Sequence, residues 1–361
     1  MTVLAGSRIN GEHPNHLGLT EIEYCWEPGQ LNARQTILSS VKQLSPDLVW
    51  FNLGASMFGR SPWANVSGLL APMLAQRMGY PTVVTLHELM ELSDLHALNA
   101  PGGLFAPWAA RWLTDIATQA DIVCLTRDHF VKWLAKRMID CVHIPHGAFY
   151  EPALLDEYGE NELLLFNMLA PFKGVELLLE AFPKLRMDFP HLQLTIAGEE
   201  HPRFPGYVQF IKKRFTGLQG VRWLGRIPND DVIELFRRAK IVILPYKAST
   251  GSSSILYQAA AWGRAVVVSD LDEMRALAHE GNFQMEFFEN GNVESLRNAV
   301  RVLLASPERR HTQIQSNFSA VQSARIEITC HRYLQAFNRA LEKRQSVKRI
   351  LVGTRRKAEP A

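Results

Sequence analysis

The residues best suited to chemistry lie in one segment, between Pro245 and Asp270, with the sequence PYKASTGSSSILYQAAAWGRAVVVSD. Gly251 permits backbone geometry that other residues resist, and Ser252–Ser254 follow it directly. Because this turn opens a helix, free backbone N–H groups and hydroxyls would converge at the positive end of the helix dipole, where a phosphate binds well. The same small residues could instead serve only as a helix cap and a close-packing device. The segment by itself leaves both interpretations open.

The residues after this turn predict where such a site would lie. Ala259–Ala261 allow the helix to pack closely on a sheet, and Gly263 suits the helix end. The run AVVVS that follows is typical of a buried parallel strand. A ligand at the turn would therefore lie at the carboxyl edge of a parallel sheet, where open α/β folds bind their ligands.

Composition narrows the class of protein. The 361 residues, 47% of them apolar, suffice for two globular domains, and a net charge of +3 gives no argument for nucleic acid as a partner. The 4 cysteines are scattered without a CxxC pair, which favours reduced thiols over a zinc or disulfide framework. The N-terminus lacks the apolar stretch of a signal peptide, and no apolar run approaches the length of a membrane span. We therefore expect a cytoplasmic protein without a metal site.

Short apolar runs alternate with helical patterns through residues 1–146, which predicts an N-terminal domain with a parallel, doubly wound sheet. The predicted strands are Thr2–Ala5, Ile22–Tyr24, Asp47–Asn52, Thr82–Leu86, Asp121–Leu125 and Cys141–Ile144. The predicted helices include Asn32–Leu44, Trp63–Met78 and Ala106–Gln119. Because the first strand has the pattern of an interior one, we expect a preceding strand, its glycine loop and a helix to be missing. A naturally short domain and a start codon placed too late would both explain this.

A second βα series occupies residues 147–318 and predicts a C-terminal domain of the same kind. Before it, Pro145–Asn161 carries prolines, glycines and acidic residues that indicate an interdomain linker. The predicted strands are Leu163–Asn167, Gln193–Ala197, Val221–Leu224, Ile241–Leu244 and Ala265–Ser269. The predicted helices are Val175–Leu185, Tyr207–Arg214, Asn229–Ala239, Ser254–Trp262 and Val293–Ala305. Residues 319–361 predict a long helix, Ser319–Lys343, and a basic tail.

Several stretches together resemble family-4 retaining glycosyltransferases of the GT-B architecture. They are TLHEL at Thr85–Leu89, IPHG at Ile144–Gly147, LFNMLAPFKGVELLLEAF at Leu165–Phe182, VRWLGRIPNDDVIELFRRAKIVILPY at Val221–Tyr246 and TGSSSILYQAAAWGRAVVVSD at Thr250–Asp270. Each is weak alone, but their order and spacing on two βα domains are fairly specific. The resemblance covers most of the chain.

The resemblance implies an α/β fold of two Rossmann-like domains that face each other across a cleft, with a C-terminal helix that crosses back to the first domain. The C-terminal domain would hold a nucleotide-diphosphate sugar, and the N-terminal domain would receive a glycan, lipid-linked or small-molecule acceptor. Transfer would retain the anomeric configuration without a metal or cofactor. No pair of carboxylates stands out as acid and nucleophile, which agrees with a mechanism in which the departing phosphate helps to deprotonate the acceptor.

The resemblance places two residues, Lys173 and His87, at the reaction itself. Lys173 lies in APFKG, after a predicted strand, and would stabilise the charge that grows on the leaving diphosphate. His87 follows the strand VVTL at its carboxyl end and would face the transferred sugar or the acceptor. The simpler alternatives are a solvated lysine and a histidine that satisfies loop backbone.

The donor-binding residues are carried over on matching positions: Asn167, Gly225, Arg226, Thr250, Gly251, Ser252, Ser253 and Gln258. The chain departs from the family in two places. Met168 stands where an arginine is usual, with Arg226 and Lys247 as candidates to replace that cation. Thr250 and Gln258 stand where an E-x7-E pattern is usual, although Gln258 can still hydrogen-bond a ribose hydroxyl.

These departures leave three interpretations open. We favour a glycosyltransferase subfamily in which the Thr-Gly-Ser-Ser turn supplies replacement hydrogen-bond donors. The alternative is a non-catalytic homologue of the same fold that binds a nucleotide-sugar or a partner enzyme. A sugar-nucleotide epimerase is the third interpretation, for which the sequence offers no convincing acid/base set.

A contact with an anionic membrane is a separate hypothesis. Arg339–Lys357 holds eight basic residues against a single acid, Glu342, and Phe105–Leu113, with the sequence FAPWAARWL, contains two tryptophans at roughly helical spacing. The pattern predicts peripheral attachment at the inner face of a membrane, within reach of a lipid-linked acceptor. The alternative is a solvated tail and a buried aromatic face.

Overall fold

The computed structural model describes residues 1–7, 16–54, 57–59, 61–96, 98, 103–157, 161–249 and 251–358. The chain divides into two compact units. Unit 1 comprises Met1–Leu92, Ala100–Ile144 and Cys330–Ala361, and unit 2 comprises Ser93–Asn99 and Pro145–Thr329. The C-terminal residues thus group with unit 1.

Unit 1 contains two sheets within the described residues. Its strands are β1 (Thr2–Gly6), β2 (His16–Leu17), β3 (Thr20–Trp26), β4 (Val49–Leu53), β5 (Thr82–Leu86), β6 (Ile122–Leu125) and β7 (Cys141–His143). The order β4-β5-β6-β7 is parallel throughout, whereas β3 pairs in parallel with β1 and antiparallel with β2 in a separate sheet. The sequence predicts a single sheet here and misses β2, because two residues carry no usable alternation of apolar and polar side chains.

Unit 2 is built on one sheet of six parallel strands. They are β8 (Glu162–Phe166), β9 (Gln193–Ala197), β10 (Val221–Leu224), β11 (Ile241–Leu244), β12 (Ala265–Ser269) and β13 (Glu286–Phe288). Their order, β10-β9-β8-β11-β12-β13, is that of a doubly wound Rossmann sheet. Successive strands are added toward one edge of the sheet up to β10 and toward the other edge from β11, so the gap between β8 and β11 is the topological switch point at which such sheets bind ligands.

Helices cover both sheets of parallel strands. Those that begin in unit 1 are α1 (Ala33–Leu44), α2 (Pro62–Leu69), α3 (Ala71–Arg77), α4 (Ala106–Ala117) and α5 (Asp128–Ala135). Those of unit 2 are α6 (Val175–Asp188), α7 (Tyr207–Arg214), α8 (Val232–Arg238), α9 (Ser254–Ala261), α10 (Asp272–Gly281), α11 (Val293–Ala305) and α12 (Pro307–Val321). The last helix is α13 (Ile326–Ala358). Across the described part of the chain, no helix has both the length and the apolar composition of a membrane span.

Aromatic packing joins α13 to the sheet of unit 1. The rings of Tyr333 and Phe337 lie 4.8 and 5.4 Å from the ring of Trp50, and Ala336 and Ala340 are buried in the same cluster. Ion pairs extend the contact, because Arg339, Lys343 and Arg344 pair with two acids, Asp140 and Asp121. Part of the tail that the sequence presents as unpaired basic charge is therefore neutralised within unit 1.

The segment that the sequence predicts as a linker belongs to unit 2 and is fastened to it by a buried cation. Arg264, 1% exposed, donates to the carbonyls of Leu155, Asp156 and Phe236 at 3.0, 2.9 and 2.7 Å. Burial lowers the pKa of this arginine to about 10. Because this value still lies well above 7, the guanidinium is charged at neutral pH. The carbonyl dipoles that surround the guanidinium replace the water it has lost.

Two glycines let the loops beyond the strands of unit 2 approach each other. Gly174 ends the 3-10 turn Pro171–Lys173 with φ +69°, and a Cβ on it would lie 1.7 Å from the carbonyl oxygen of Pro245. A Cβ on Gly198, which has φ +119°, would lie 1.8 Å from the carbonyl oxygen of Asn167. Both positions require glycine because of the positive φ and because no space exists for a side chain.

We expect Arg264→Met to lower the free energy of unfolding by about 3 kcal/mol or more, because several buried and partly buried carbonyls lose a charged donor. Urea denaturation would measure the loss. Arg214→Met is the matched control in unit 2, since Arg214 is half-exposed and pairs with Glu180 on the surface. It should cost less than about 1 kcal/mol. Equal losses in the two variants would contradict a stabilising role for the buried arginine.

We also expect Gly174→Ala to destabilise unit 2 far more than Gly206→Ala. Both glycines have positive φ, +69° and +84°, but nothing lies within 4 Å of a Cβ at Gly206. The control should cost only the backbone strain, about 1 to 2 kcal/mol. Gly174→Ala must add a clash with the backbone of Pro245, and thermal unfolding should show the difference. Similar losses would mean that the two loops can separate freely.

Candidate functional site

A cavity of about 100 Å³ lies at the switch point of unit 2. Its walls come mainly from the loop after β8 and from the loop that joins β11 to α9, and Leu98 adds one more lining residue. Its lining from these loops is Asn167, Phe172, Lys173, Tyr246, Ala248, Ser249, Gly251, Ser252, Ser253, Ser254 and Ile255. Five predicted site residues are therefore brought together here: Asn167, Lys173, Gly251, Ser252 and Ser253.

The first turn of α9 presents hydrogen-bond donors to this cavity. Ser253 is the N-cap residue, with extended backbone at φ −102° and ψ 107°, and its side chain makes no capping bond to the helix. The N–H groups of a first helical turn have no carbonyl partner within the helix and lie at the positive end of its dipole. The combination of these N–H groups with the hydroxyls of Ser252 and Ser253 suits an anion.

Tyr246, which the sequence analysis did not single out, lies at the centre of the site. It is 3% exposed, and its Oη accepts a hydrogen bond from Asn167 Nδ2 at 2.8 Å and lies 3.2 Å from Ser253 Oγ. Burial raises the pKa of the phenol to about 12, so that it keeps its proton. The signal that could have found it is a tyrosine directly after Pro245, at the carboxyl end of a buried strand.

Lys173 is the cation on the cavity wall. Its Nζ lies 4.2 Å from the ring centroid of Tyr246 and 5.5 Å from that of Phe172, which are cation–π distances. His201, from the loop after β9, stacks edge-on against Phe172. Burial and the charges of Arg203 and Lys173 lower the pKa of His201 to about 4, so it adds no charge at neutral pH.

Three other predicted donor-binding residues, Gly225, Arg226 and Gln258, do not line the cavity. Gly225 follows β10, where its carbonyl accepts a bond from Gly198 N at 3.0 Å, and Arg226 is exposed beside it. Gln258 is 8% exposed in α9, and its Oε1 has no hydrogen-bond partner within the described residues. Thr250 lies outside the described residues.

Met168, which stands where an arginine is usual, adds no cation to the cavity wall, and neither does Lys247. Met168 is 47% exposed, and Lys247 Nζ lies 3.9 Å from Glu176 Oε2. The part of the chain that the structure describes also holds no cluster of three or more His, Cys, Asp or Glu able to bind a metal.

His87 belongs to unit 1, where it follows β5 at its carboxyl end. Its Nε2 lies 2.5 Å from Asn52 Oδ1 at the neighbouring strand end, and its carbonyl accepts a bond from Thr126 Oγ1 at 3.3 Å. Burial lowers the pKa of the imidazole, so it is neutral at pH 7. A neutral imidazole next to an amide can exchange hydrogen bonds with a sugar hydroxyl.

Unit 1 also exposes a run of large apolar side chains at the start of α4. Leu104, Phe105, Trp108 and Trp112 are 98, 78, 71 and 43% exposed, and we call them the aromatic face. Trp108 and Trp112, four residues apart, lie on one side of α4, and Leu104 and Phe105 belong to the 3-10 turn directly before it. The alternative of a buried aromatic stretch is therefore wrong.

Comparison with known proteins shows that the segment holding most of the cavity wall is similar to one protein family. Residues 160–306 match the family model described as "Glycosyl transferases group 1". The phosphatidyl-myo-inositol mannosyltransferase of Mycolicibacterium smegmatis is 32% identical over 222 residues, which are 59% of this chain and 53% of that protein. The protein of the same name from Mycobacterium tuberculosis is 32% identical over 150 residues, 39% of this chain and 38% of that protein. The chain thus spans about half the length, or less, of these curated relatives.

Solved structures resemble most of the chain. Sucrose-phosphate synthase from Thermosynechococcus elongatus has a TM-score of 0.67 at 15% identity and covers 98% of this chain and 89% of its own. Anabaena HepE in complex with UDP and glucose has a TM-score of 0.65 at 16% identity and covers 88% and 86%. At these identities the likeness shows the fold, and it confirms the predicted GT-B class. The predicted resemblance is confirmed as well, since residues 160–306, which hold nearly all of the cavity wall, match the model of the group 1 glycosyl transferases.

Proposed function

We propose that this protein is a retaining glycosyltransferase that moves a sugar from a nucleotide-diphosphate sugar to an acceptor, without a metal or cofactor. The observation that carries the proposal is the cavity at the switch point of unit 2, in which one ammonium, two serine hydroxyls and the first turn of α9 converge. Positive and hydrogen-donating groups of this kind suit a diphosphate. The family match over the same residues and the HepE complex with UDP and glucose support the donor class.

In the proposed reaction the chain mainly positions the donor and stabilises its leaving group. The bond between the anomeric carbon and the phosphate oxygen breaks, and the bond between that carbon and the acceptor oxygen forms on the same face. The acceptor proton passes to an oxygen of the departing diphosphate. Lys173 and the serine hydroxyls would stabilise the negative charge that grows there, and His87 would hold a sugar hydroxyl.

We further propose a glycolipid acceptor and a cytoplasmic protein that attaches to the inner face of a membrane. Relatives named phosphatidyl-myo-inositol mannosyltransferase support the acceptor class. The aromatic face supports attachment, because exposed tryptophan, phenylalanine and leucine side chains suit the interfacial region of a bilayer. Arg111 is exposed on the same turn of α4 and would meet anionic headgroups.

We expect one of UDP, GDP and ADP to bind with micromolar affinity, and Lys173→Ala to weaken that binding about tenfold or more, because the diphosphate loses a charge-assisted partner. Isothermal titration calorimetry would measure both proteins. Lys184→Ala is the matched control, since Lys184 pairs with Glu294 on the surface of unit 2. It should bind as the wild type does.

Failure of all three nucleotides to bind would contradict the proposed donor site. Binding without turnover of any sugar conjugate, over a panel of glycolipid and glycan acceptors, would favour the non-catalytic alternative. NMR of the product would report the anomeric configuration, and an inverted product would exclude the retaining mechanism. Activity abolished by EDTA would exclude metal independence.

We expect the protein to co-sediment with vesicles that contain phosphatidylglycerol, and the double variant Trp108→Ala, Trp112→Ala to bind them about tenfold more weakly, since it buries less apolar area. Phe210→Ala is the control, because Phe210 is 60% exposed on α7 of unit 2. It should leave sedimentation unchanged. Equal binding by all three proteins, or none at low salt, would disprove attachment through the aromatic face.

A further inference from the structure

Tyr246 connects three groups that line the cavity while it is itself almost wholly buried. Its hydroxyl meets the Asn167 amide at 2.8 Å and the Ser253 hydroxyl at 3.2 Å, and its ring lies 4.2 Å from the Lys173 ammonium. We infer that Tyr246 is a positioning residue for the donor diphosphate, which turns the Ser253 hydroxyl toward a phosphate oxygen and holds Lys173 in place. The inference rests on the proposed function and names a residue through which the site acts.

The direction of the hydrogen bonds follows from the chemistry of the three groups. Asn167 Nδ2 can only donate, so Tyr246 Oη accepts from it. The one proton of the phenol is then available for Ser253 Oγ, and the proton of Ser253 is available for a third group. A phosphate oxygen only accepts, so a bound diphosphate selects this direction. The chain of donors runs from Asn167 through Tyr246 and Ser253 to the anion, and each bond polarises the next.

Ser253 is free to act in this way because it does not cap its own helix. An N-cap serine ordinarily accepts a bond from the N–H of the second or third helical residue. Here the side chain of Ser253 makes no such bond, and its hydroxyl lies within hydrogen-bond distance of Tyr246 Oη. The N–H groups of Ser254 and Ile255, at the start of the helix, therefore remain for the cavity, and the Ser253 hydroxyl adds a donor beside them.

The ring of Tyr246 contributes separately from its hydroxyl. Lys173 Nζ lies closer to this ring than to that of Phe172, 4.2 against 5.5 Å. An ammonium over an aromatic face is attracted by the ring quadrupole, most strongly where water is scarce. The contact restricts a long, flexible side chain to the cavity wall, so less conformational entropy is lost when the diphosphate binds.

The test compares variants that remove the hydroxyl, the ring or the serine. With whichever of UDP, GDP and ADP binds the wild type, calorimetry should show Tyr246→Phe to be about fivefold to tenfold weaker, the loss expected for one hydrogen bond. Ser253→Ala should lose a similar factor, and the double variant should be no weaker than Ser253→Ala, because Tyr246 acts through that serine. Tyr246→Leu should bind more weakly than Tyr246→Phe, since Lys173 loses its ring.

Tyr207→Phe is the control for loss of a buried tyrosine hydroxyl. Tyr207 is 8% exposed in unit 2 and donates to Glu176 Oε2 at 2.7 Å, away from the cavity wall. This variant should lose stability in thermal unfolding but keep the wild-type nucleotide affinity. A purely structural role for Tyr246 predicts instead that Tyr246→Phe and Tyr207→Phe behave alike.

The outcomes separate this inference from the proposed function. If the wild type binds no nucleotide, the proposed function fails. If Lys173→Ala weakens binding but Tyr246→Phe does not, or if the losses of Tyr246→Phe and Ser253→Ala multiply, the inference fails alone. Should Tyr246→Phe not fold, Asn167→Ala removes the preceding bond of the chain. Asn167→Ala must then weaken nucleotide binding less in the Ser253→Ala background than in the wild type. Equal losses of affinity in the two backgrounds would overturn the inference.

Discussion

The approach of two backbone segments at the switch point of unit 2 governs the arrangement of the site. The turn that ends at Gly174 lies so close to the carbonyl of Pro245 that no side chain fits between them. Because Lys173 precedes this glycine and Tyr246 follows this proline, the contact puts the ammonium over the ring. The loop after β8 and the loop after β11 thus act as a single wall, although Pro245 comes 72 positions after Lys173 in the chain. A parallel sheet makes this possible, since strands β8 and β11 are neighbours that end at the same edge.

The electrostatics of this wall differ from those of a site that relies on several charged side chains. Lys173 is accompanied by neutral groups, since His201 is deprotonated and Tyr246 keeps its proton at neutral pH. Hydroxyls, an amide and helix N–H groups that are already oriented can stabilise an anion without reorganising. Met168 therefore need not be replaced by another cation for the cavity to suit a diphosphate. Gln258, whose Oε1 is buried without a partner in the described residues, stays outside the wall of this cavity.

Much of the fold could be predicted, and the misses have identifiable causes. The bounds of β5, β9, β10, β11 and β12 coincide with the prediction, because runs such as TVVTL and AVVVS are buried on both faces and leave little choice of element. The predicted helix Trp63–Met78 is two helices, since Pro72 cannot donate a helical bond to Gly68. The predicted helix Ser319–Lys343 is broken at 322–324, where the carbonyl of Ala324 accepts a bond from Ala148 N at 2.9 Å. Such a tertiary bond has no local signature.

The sequence by itself determined the βα class and the GT-B resemblance and predicted a phosphate-type turn at Gly251–Ser253, because hydrophobic periodicity, glycine and hydroxylic residues act over a few neighbouring positions. It also identified Lys173 and Asn167 through a motif. Only the tertiary structure decided that these residues share one wall with Tyr246, and that the segment near Leu155 is held by Arg264 instead of serving as a free linker. Contacts between positions far apart in the chain depend on strand order and on space between backbones. Neither is encoded in the spacing of residues along a single segment.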